Sequence, residues 1–174
     1  MALLIKNGRI LDPASGLDDY LDILVENGTI RSLGKQIDLP SAYDRADVTT
    51  TIDATGLLIL PGLVDMHTHL REPGHEYKET IASGSRAGAA GGFTSLVCMA
   101  NTDPPNDTAS VTEFILKKAR KEACINIFPV GALTRGLRGE YLTEMGELKE
   151  AGVVALSDDG CSVKNAAVMR RGLE

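Results

Sequence analysis

Residues 60–74 read LPGLVDMHTHLREPG, an apolar run that ends on two histidines and then on charged and turn-forming residues. Side chains alternate along a strand, so His67 and His69 leave the strand end on one face, their Cα atoms about 6–7 Å apart. That separation lets one metal ion take both imidazoles, and nitrogen and oxygen donors of this kind suit Zn²⁺. Asp65 lies two residues before His67 on the same face, and Arg71 two residues beyond His69. A His-x-His alone would also fit two hydrogen-bonded or exposed histidines; the preceding strand and the flanking acid and base favour a site. His75, the third histidine, falls in a polar, glycine-containing loop and reads as an exposed side chain.

The same rhythm repeats outward from this stretch. Apolar strand-like runs stand at GLVDM (62–66), FTSLVCM (93–99), INIFPVG (125–131) and VVALS (153–157). Between them lie helical patterns at about Tyr77 to Ala90, Ser110 to Ala123 and Glu140 to Ala151, with a fourth beginning near Asn165. Ser110 and Glu113 fit a capping box for the second, whose last turn is basic (Lys117, Lys118, Arg120, Lys121). The run GAAGG (88–92) lacks a phosphate-loop lysine and reads as a helix C-cap turning into the next strand. Strands and helices alternating at this spacing predict βαβ units and a parallel sheet. Every predicted strand end carries polar groups: Asn101 after the second, Thr134 and Arg135 after the third, Asp158 and Asp159 after the fourth. At the carboxyl ends of parallel strands these would share one face, where α/β barrels place their active sites. Taken singly, Asn101 and Asp159 also fit turn caps, and Arg135 a solvated charge.

Residues 1–60 differ. Short alternating runs are punctuated by Asn7-Gly8 and Asn27-Gly28, both hairpin signals because the two residues tolerate positive φ. This predicts a small β module, with a polar loop over residues 35–50 leading into the strand VTTTID.

Composition narrows the function classes. The 174 residues are 43% hydrophobic and 24% charged, as in an ordinary globular chain, and carry a net charge of −6, which offers no field for nucleic acid or anionic lipid. Apolar runs such as Leu57 to Leu60 are far shorter than the roughly 20 residues that span a bilayer. The start carries Lys6, Asn7, Gly8 and Arg9 where a secretory leader needs an apolar core, so secretion is not expected; the three cysteines read as reduced, which sets the expected location as cytoplasmic. Cys98, Cys124 and Cys161 fit neither a disulfide framework nor a zinc knuckle and read as small buried apolar residues.

PGLVDMHTHLREPG, GGFTSLVCMANTDP and VALSDDG together resemble three successive motifs of dihydroorotase, in the amidohydrolase superfamily. The resemblance covers essentially the whole chain. It implies an α/β fold: the first four βα units (61–174) of a (β/α)8 TIM-type barrel, preceded by part of a small β-sandwich (1–60). The fourth helical pattern is cut at VMRRGLE, so the chain reads as a fragment whose barrel is completed by a second chain or a symmetry copy.

The implied activity is the zinc-dependent, reversible hydrolysis of L-dihydroorotate to N-carbamoyl-L-aspartate in pyrimidine synthesis, with two Zn²⁺ per complete chain. The resemblance makes His67 and His69 ligands of one zinc and Asp159 the bridge between two, and puts His69, Arg71 and Asn101 against the substrate. Asp158 is left to orient its neighbour or the loop. Where relatives carry a carboxylated lysine at the end of strand four, VVALS has none, and Lys149 and Lys164 are out of register. Met99-Ala100-Asn101-Thr102 departs from the family's usual Met-Pro-Asn-Thr. The remaining metal histidines and the general acid/base are expected beyond residue 174, so the chain alone should bind zinc weakly and show no turnover. Expected partners are the small-molecule substrate, the rest of the barrel, and either a second copy or aspartate carbamoyltransferase. The competing readings are an allantoinase or dihydropyrimidinase, and a non-catalytic scaffold for aspartate carbamoyltransferase.

Overall fold

The computed structural model describes residues 2–37 and 49–174, and the chain divides into two compact units, Met1–Pro61 and Gly62–Glu174. In the first, strands β1 (Ala2–Asp12), β2 (Leu17–Glu26) and β3 (Thr29–Gly34) form an antiparallel meander. β4 (Thr49–Asp53) and β5 (Leu58–Ile59) add to β1 in parallel, giving the order β3-β2-β1-β4 with β5 also on β1. Asn27-Gly28 turns the chain between β2 and β3 with φ of 50° and 77°, the left-handed pair a tight hairpin needs.

Asn7-Gly8 does not turn it. β1 runs straight through, and the pair forms a bulge where the register with β2 shifts between Ile5 and Gly8. The Asn7 N–H donates to Asp22 Oδ1 (2.9 Å), and a Cβ on Gly8 would stand 2.2 Å from Ile59 Cδ1. Close packing, rather than a reversal, thus requires the glycine here. The reversal comes at residues 13–16, where the Asp12 carboxylate accepts from the Ala14 N–H and the Ser15 hydroxyl. Ala2, Leu4 and Leu24 form the buried core of this unit. Of the loop expected over 35–50, residues 38–48 lie outside the described residues.

The second unit is a mixed α/β structure built on a parallel sheet, β6 (Leu63–Thr68), β7 (Phe93–Cys98), β8 (Asn126–Gly131) and β9 (Ala155–Leu156), in sequential order. Helices α1 (Ile81–Ala90), α2 (Ala109–Glu122), α3 (Met145–Ala151) and α4 (Ala166–Leu173) follow the four strands in turn. Leu70, Ile81, Leu96, Cys98, Ile115, Ala119 and Ile127 fill the core between sheet and helices. No described helix is long and apolar enough to cross a membrane.

Three helix starts differ from the sequence pattern. α1 begins at Ile81 rather than near Tyr77, because Thr80 and Ser83 form the capping box and Tyr77 is left 79% exposed in the loop. α2 begins at Ala109 with Thr108 as its cap, so Ser110 lies inside the first turn and forms no box with Glu113. Its Oγ meets Thr108 Oγ1 instead (3.1 Å). α3 loses its first residues to a return of the chain, in which Tyr141 O accepts from the Arg135 N–H and Leu133 O from the Thr143 N–H. Gly91 and Gly92 end α1 as expected, Gly92 with a φ of 82°.

Candidate metal centre

β6 delivers His67 from its penultimate position and His69 just past its end. The two rings stand edge to face with centroids 5.2 Å apart, as side-chain alternation requires of residues two apart. Asp159, in the loop after β9, meets both: Oδ1 lies 3.3 Å from His67 Nε2 and Oδ2 3.7 Å from His69 Nε2. One ligand atom from each of the three falls within 4.8 Å of the others. Two imidazole nitrogens and a carboxylate oxygen are a donor set suited to Zn²⁺.

Asn101, from the turn after β7, completes the arrangement. Its Oδ1 lies 3.1 Å from His69 Nδ1 and its Nδ2 donates to Asp159 Oδ2 at 3.3 Å. With that oxygen as acceptor, a proton on His69 Nδ1 would leave Nε2, on the side of Asp159, free to ligate a cation, the way supporting groups orient histidines at metal sites. Asn101 therefore contacts two of the three metal-type side chains, a role the sequence did not disclose.

The adjacent aspartates divide the work. Asp158 is buried, accepts from the Thr134 N–H at 2.9 Å and takes a short hydrogen bond from the Thr134 hydroxyl. That hydroxyl in turn accepts from the Gly139 N–H at 2.8 Å. Asp158 thus pins the loop after β8 to the loop after β9, and Asp159 is left to face the histidines. Leu133, Leu156, Val163 and Met169 line a cavity of about 340 Å³ beside the two aspartates.

Other candidates lie elsewhere. Asp65 does not join the cluster; its Oδ1 accepts from the His67 N–H (3.0 Å) and shapes the strand end, where the register with β7 breaks between Asp65 and Thr68. Thr134 is buried in the Asp158 contact, and Arg135 points to Glu144 (2.5 Å) and Leu142 O (3.2 Å). The strand-end polar groups therefore do not all share one site. His75 is half-buried and packs edge-on to Tyr77, 6.1 Å between ring centroids. Lys149 and Lys164 are exposed and outside the cluster. Arg71 adopts a φ of 62°, and its guanidinium has no hydrogen-bond or ion-pair partner among the described residues.

The cysteines depart from expectation in two cases of three. Cys98 is buried, and burial pushes its thiol up to about 12, but Cys124 and Cys161 are exposed. Cys124 sits two residues past the end of α2 and Cys161 in the loop between β9 and α4, where no apolar periodicity buries them. Glu72, which the sequence marks only as part of the loop after the first strand, is 5% exposed, accepts from the Ile81 N–H at the start of α1 (3.0 Å) and pairs with Lys118 of α2 (3.1 Å). The nearest sequence signal was an acid placed before a helix, but it stands nine residues ahead of Ile81.

Comparison with known proteins places these residues in a wider set. The profile of the dihydro-orotase-like family matches residues 56–174. A protein of Geobacter metallireducens named dihydroorotase is 58% identical over 174 residues, 100% of this chain and 40% of that one. A dihydroorotase of Geobacter sulfurreducens is 55% identical with the same shares, and one of Solibacter usitatus 51% identical over 100% of this chain and 39% of its own length. The chain thus spans about two-fifths of the length of the curated relatives it matches. Among solved structures, L-hydantoinase (dihydropyrimidinase) from Arthrobacter aurescens superposes with a TM-score of 0.72 at 25% identity, covering 88% of this chain and 32% of that one. D-hydantoinase (dihydropyrimidinase) from Thermus sp. gives 0.64 at 28% identity, covering 85% and 30%.

Proposed function

Because the chain belongs to the dihydro-orotase-like family, we propose that the full-length protein carrying it hydrolyses the cyclic amide of L-dihydroorotate reversibly to N-carbamoyl-L-aspartate. The observation that carries this reading is Asp159 facing both imidazoles, at 3.3 and 3.7 Å, in a chain whose strand β9 supplies no lysine for that place. In this proposal β6 to β9 are the first four strands of an eight-stranded barrel, and residues 1–60 are part of a small β-sandwich. The remaining ligands and the general acid/base would come from residues outside the chain.

His67, His69 and Asp159 would hold zinc, with Asp159 as the bridge where two ions bind. Bound there, the metal would lower the pKa of its water toward neutrality and polarise the amide carbonyl. The chain's own residues prepare that chemistry. Asn101 fixes the His69 tautomer through Oδ1. The Asn101 amide nitrogen has two donors, so one can serve Asp159 while the other meets a substrate carboxylate. Arg71, whose guanidinium has no acidic partner among the described residues, supplies the charge such a carboxylate needs, in a geometry that a lysine would not match.

The test is a substrate panel on the full-length, zinc-reconstituted protein, comparing dihydroorotate with allantoin, a hydantoin and dihydrouracil, and with Asp159→Ala as control. Preference for dihydroorotate is expected, with a loss in the variant beyond the roughly 10–100-fold that removal of a supporting hydrogen bond costs. Preference for another ring would move the substrate to the chemistry named for the hydantoinases, and no turnover on any ring would favour a scaffold.

A further inference from the structure

The loop that carries Arg71 and the loop that carries Asn101 are fastened together. The Asp103 N–H donates to Pro73 O (2.9 Å) and the Met99 N–H to Thr68 O (2.9 Å). At Gly74, with a φ of 93°, a Cβ would stand 2.0 Å from Asp103 O, so the two backbones touch. Beneath this contact lies Glu72, a buried carboxylate next in sequence to Arg71. The carboxylate is satisfied by two groups: Oε2 takes the Ile81 N–H and Oε1 takes Lys118 Nζ. Lys118 is shared with Glu122 (3.2 Å), and Glu72 first, then Glu122, hold it above the usual lysine range. Glu76, further along this loop, turns back to accept from the Gly74 N–H.

We propose that Lys118 and Glu72 are a positioning pair for carboxylate recognition: Lys118 engages the Glu72 carboxylate, which ties the Arg71 loop to α2, the helix that follows the Asn101 loop, and keeps the two loops in register. This rests on the reading of Arg71 as a substrate-carboxylate group. Without Lys118, the buried Glu72 carboxylate loses its link to α2, and the Arg71 loop loses its tie to the Asn101 side of the site.

The test uses the full-length, zinc-loaded protein. Lys118→Met keeps the aliphatic stem and removes the charge. The expected result is a KM for dihydroorotate raised about tenfold with kcat within about twofold, the signature of lost substrate binding rather than lost chemistry. Inhibition by acetohydroxamate, a metal ligand with no carboxylate, should be unmoved, and Lys118→Arg should restore the KM. An unchanged KM, a fall in kcat and in acetohydroxamate affinity together, or failure of the arginine to rescue would each overturn the proposal. Arg71→Met separates the two levels. If it raises the KM while Lys118→Met does not, the positioning role alone fails. If Arg71→Met leaves the KM unmoved, the carboxylate reading fails and takes the positioning role with it.

Discussion

Replacing Asp158 and Asp159 one at a time should produce opposite defects, although the two are neighbours in sequence and identical in chemistry. Asp158 accepts two hydrogen bonds from Thr134, which is itself fully buried. Each bond to a charged acceptor contributes about 1.5–3 kcal/mol, so truncation removes about 3–6 kcal/mol before relaxation. Water entering the space left by the side chain recovers part of this, and a net loss of about 3 kcal/mol is expected for Asp158→Ala. Among the described residues, Asp159 accepts the Asn101 amide and otherwise faces two imidazoles, so Asp159→Ala should change the stability of the metal-free protein by about 1 kcal/mol or less. The assay is urea unfolding in the presence of a chelator. With a slope near about 2 kcal/mol/M, the Asp158→Ala midpoint should fall by about 1.5 M with the slope unchanged. Zinc content after reconstitution should show the reverse order, retained in Asp158→Ala and lost in Asp159→Ala. An Asp158→Ala midpoint within about 0.3 M of the parent, or a larger stability loss in Asp159→Ala, would refute the division of labour.

Two further outcomes follow from local geometry. Gly74→Ala places a methyl group against Asp103 O in a left-handed conformation, and should destabilise the protein by about 2–4 kcal/mol in the same unfolding assay. A loss under about 1 kcal/mol would show that the loop contact yields easily. Cys98 should resist thiol reagents in the native state while Cys124 and Cys161 react, read by peptide mapping. Because burial raises the Cys98 pKa to about 12, the unfolded chain loses this proton first, so stability should fall as pH rises from about 9 toward 12. That fall should be shallower in Cys98→Ala, and equal slopes would contradict the burial argument.

Much of this was legible in the sequence where the signal was local and periodic. The apolar runs at 30-residue intervals became β6 to β9, and the alternation that put His67 and His69 on one face holds in the structure. What sequence could not show depended on partners distant along the chain. Asn7-Gly8 carries the same dipeptide as Asn27-Gly28, yet Asp22 and Ile59 make it a bulge. Arg135 fitted either a strand-end site group or a solvated charge, and the return through residues 140–144 settles it as an exposed charge paired with Glu144. The capping pattern at Ser110 was sound in composition but two positions late, because Thr108 was equally able to precede the helix. The Asn101 contacts to His69 and Asp159 span 32 and 58 residues, beyond any local pattern.

The sequential order β6-β7-β8-β9 has a consequence in time. The strands begin at residues 63, 93, 126 and 155, and each pairs with the one made just before it. At synthesis rates of about 5–20 residues per second, a new strand leaves the ribosome roughly every 2–6 seconds, while helices form in about a microsecond. The sheet can therefore grow in the order in which the chain is made, each addition closing a loop of similar length and similar entropic cost. His67 and His69 are then in place early, at the end of β6, and wait for three further strands to be laid down before Asp159 arrives.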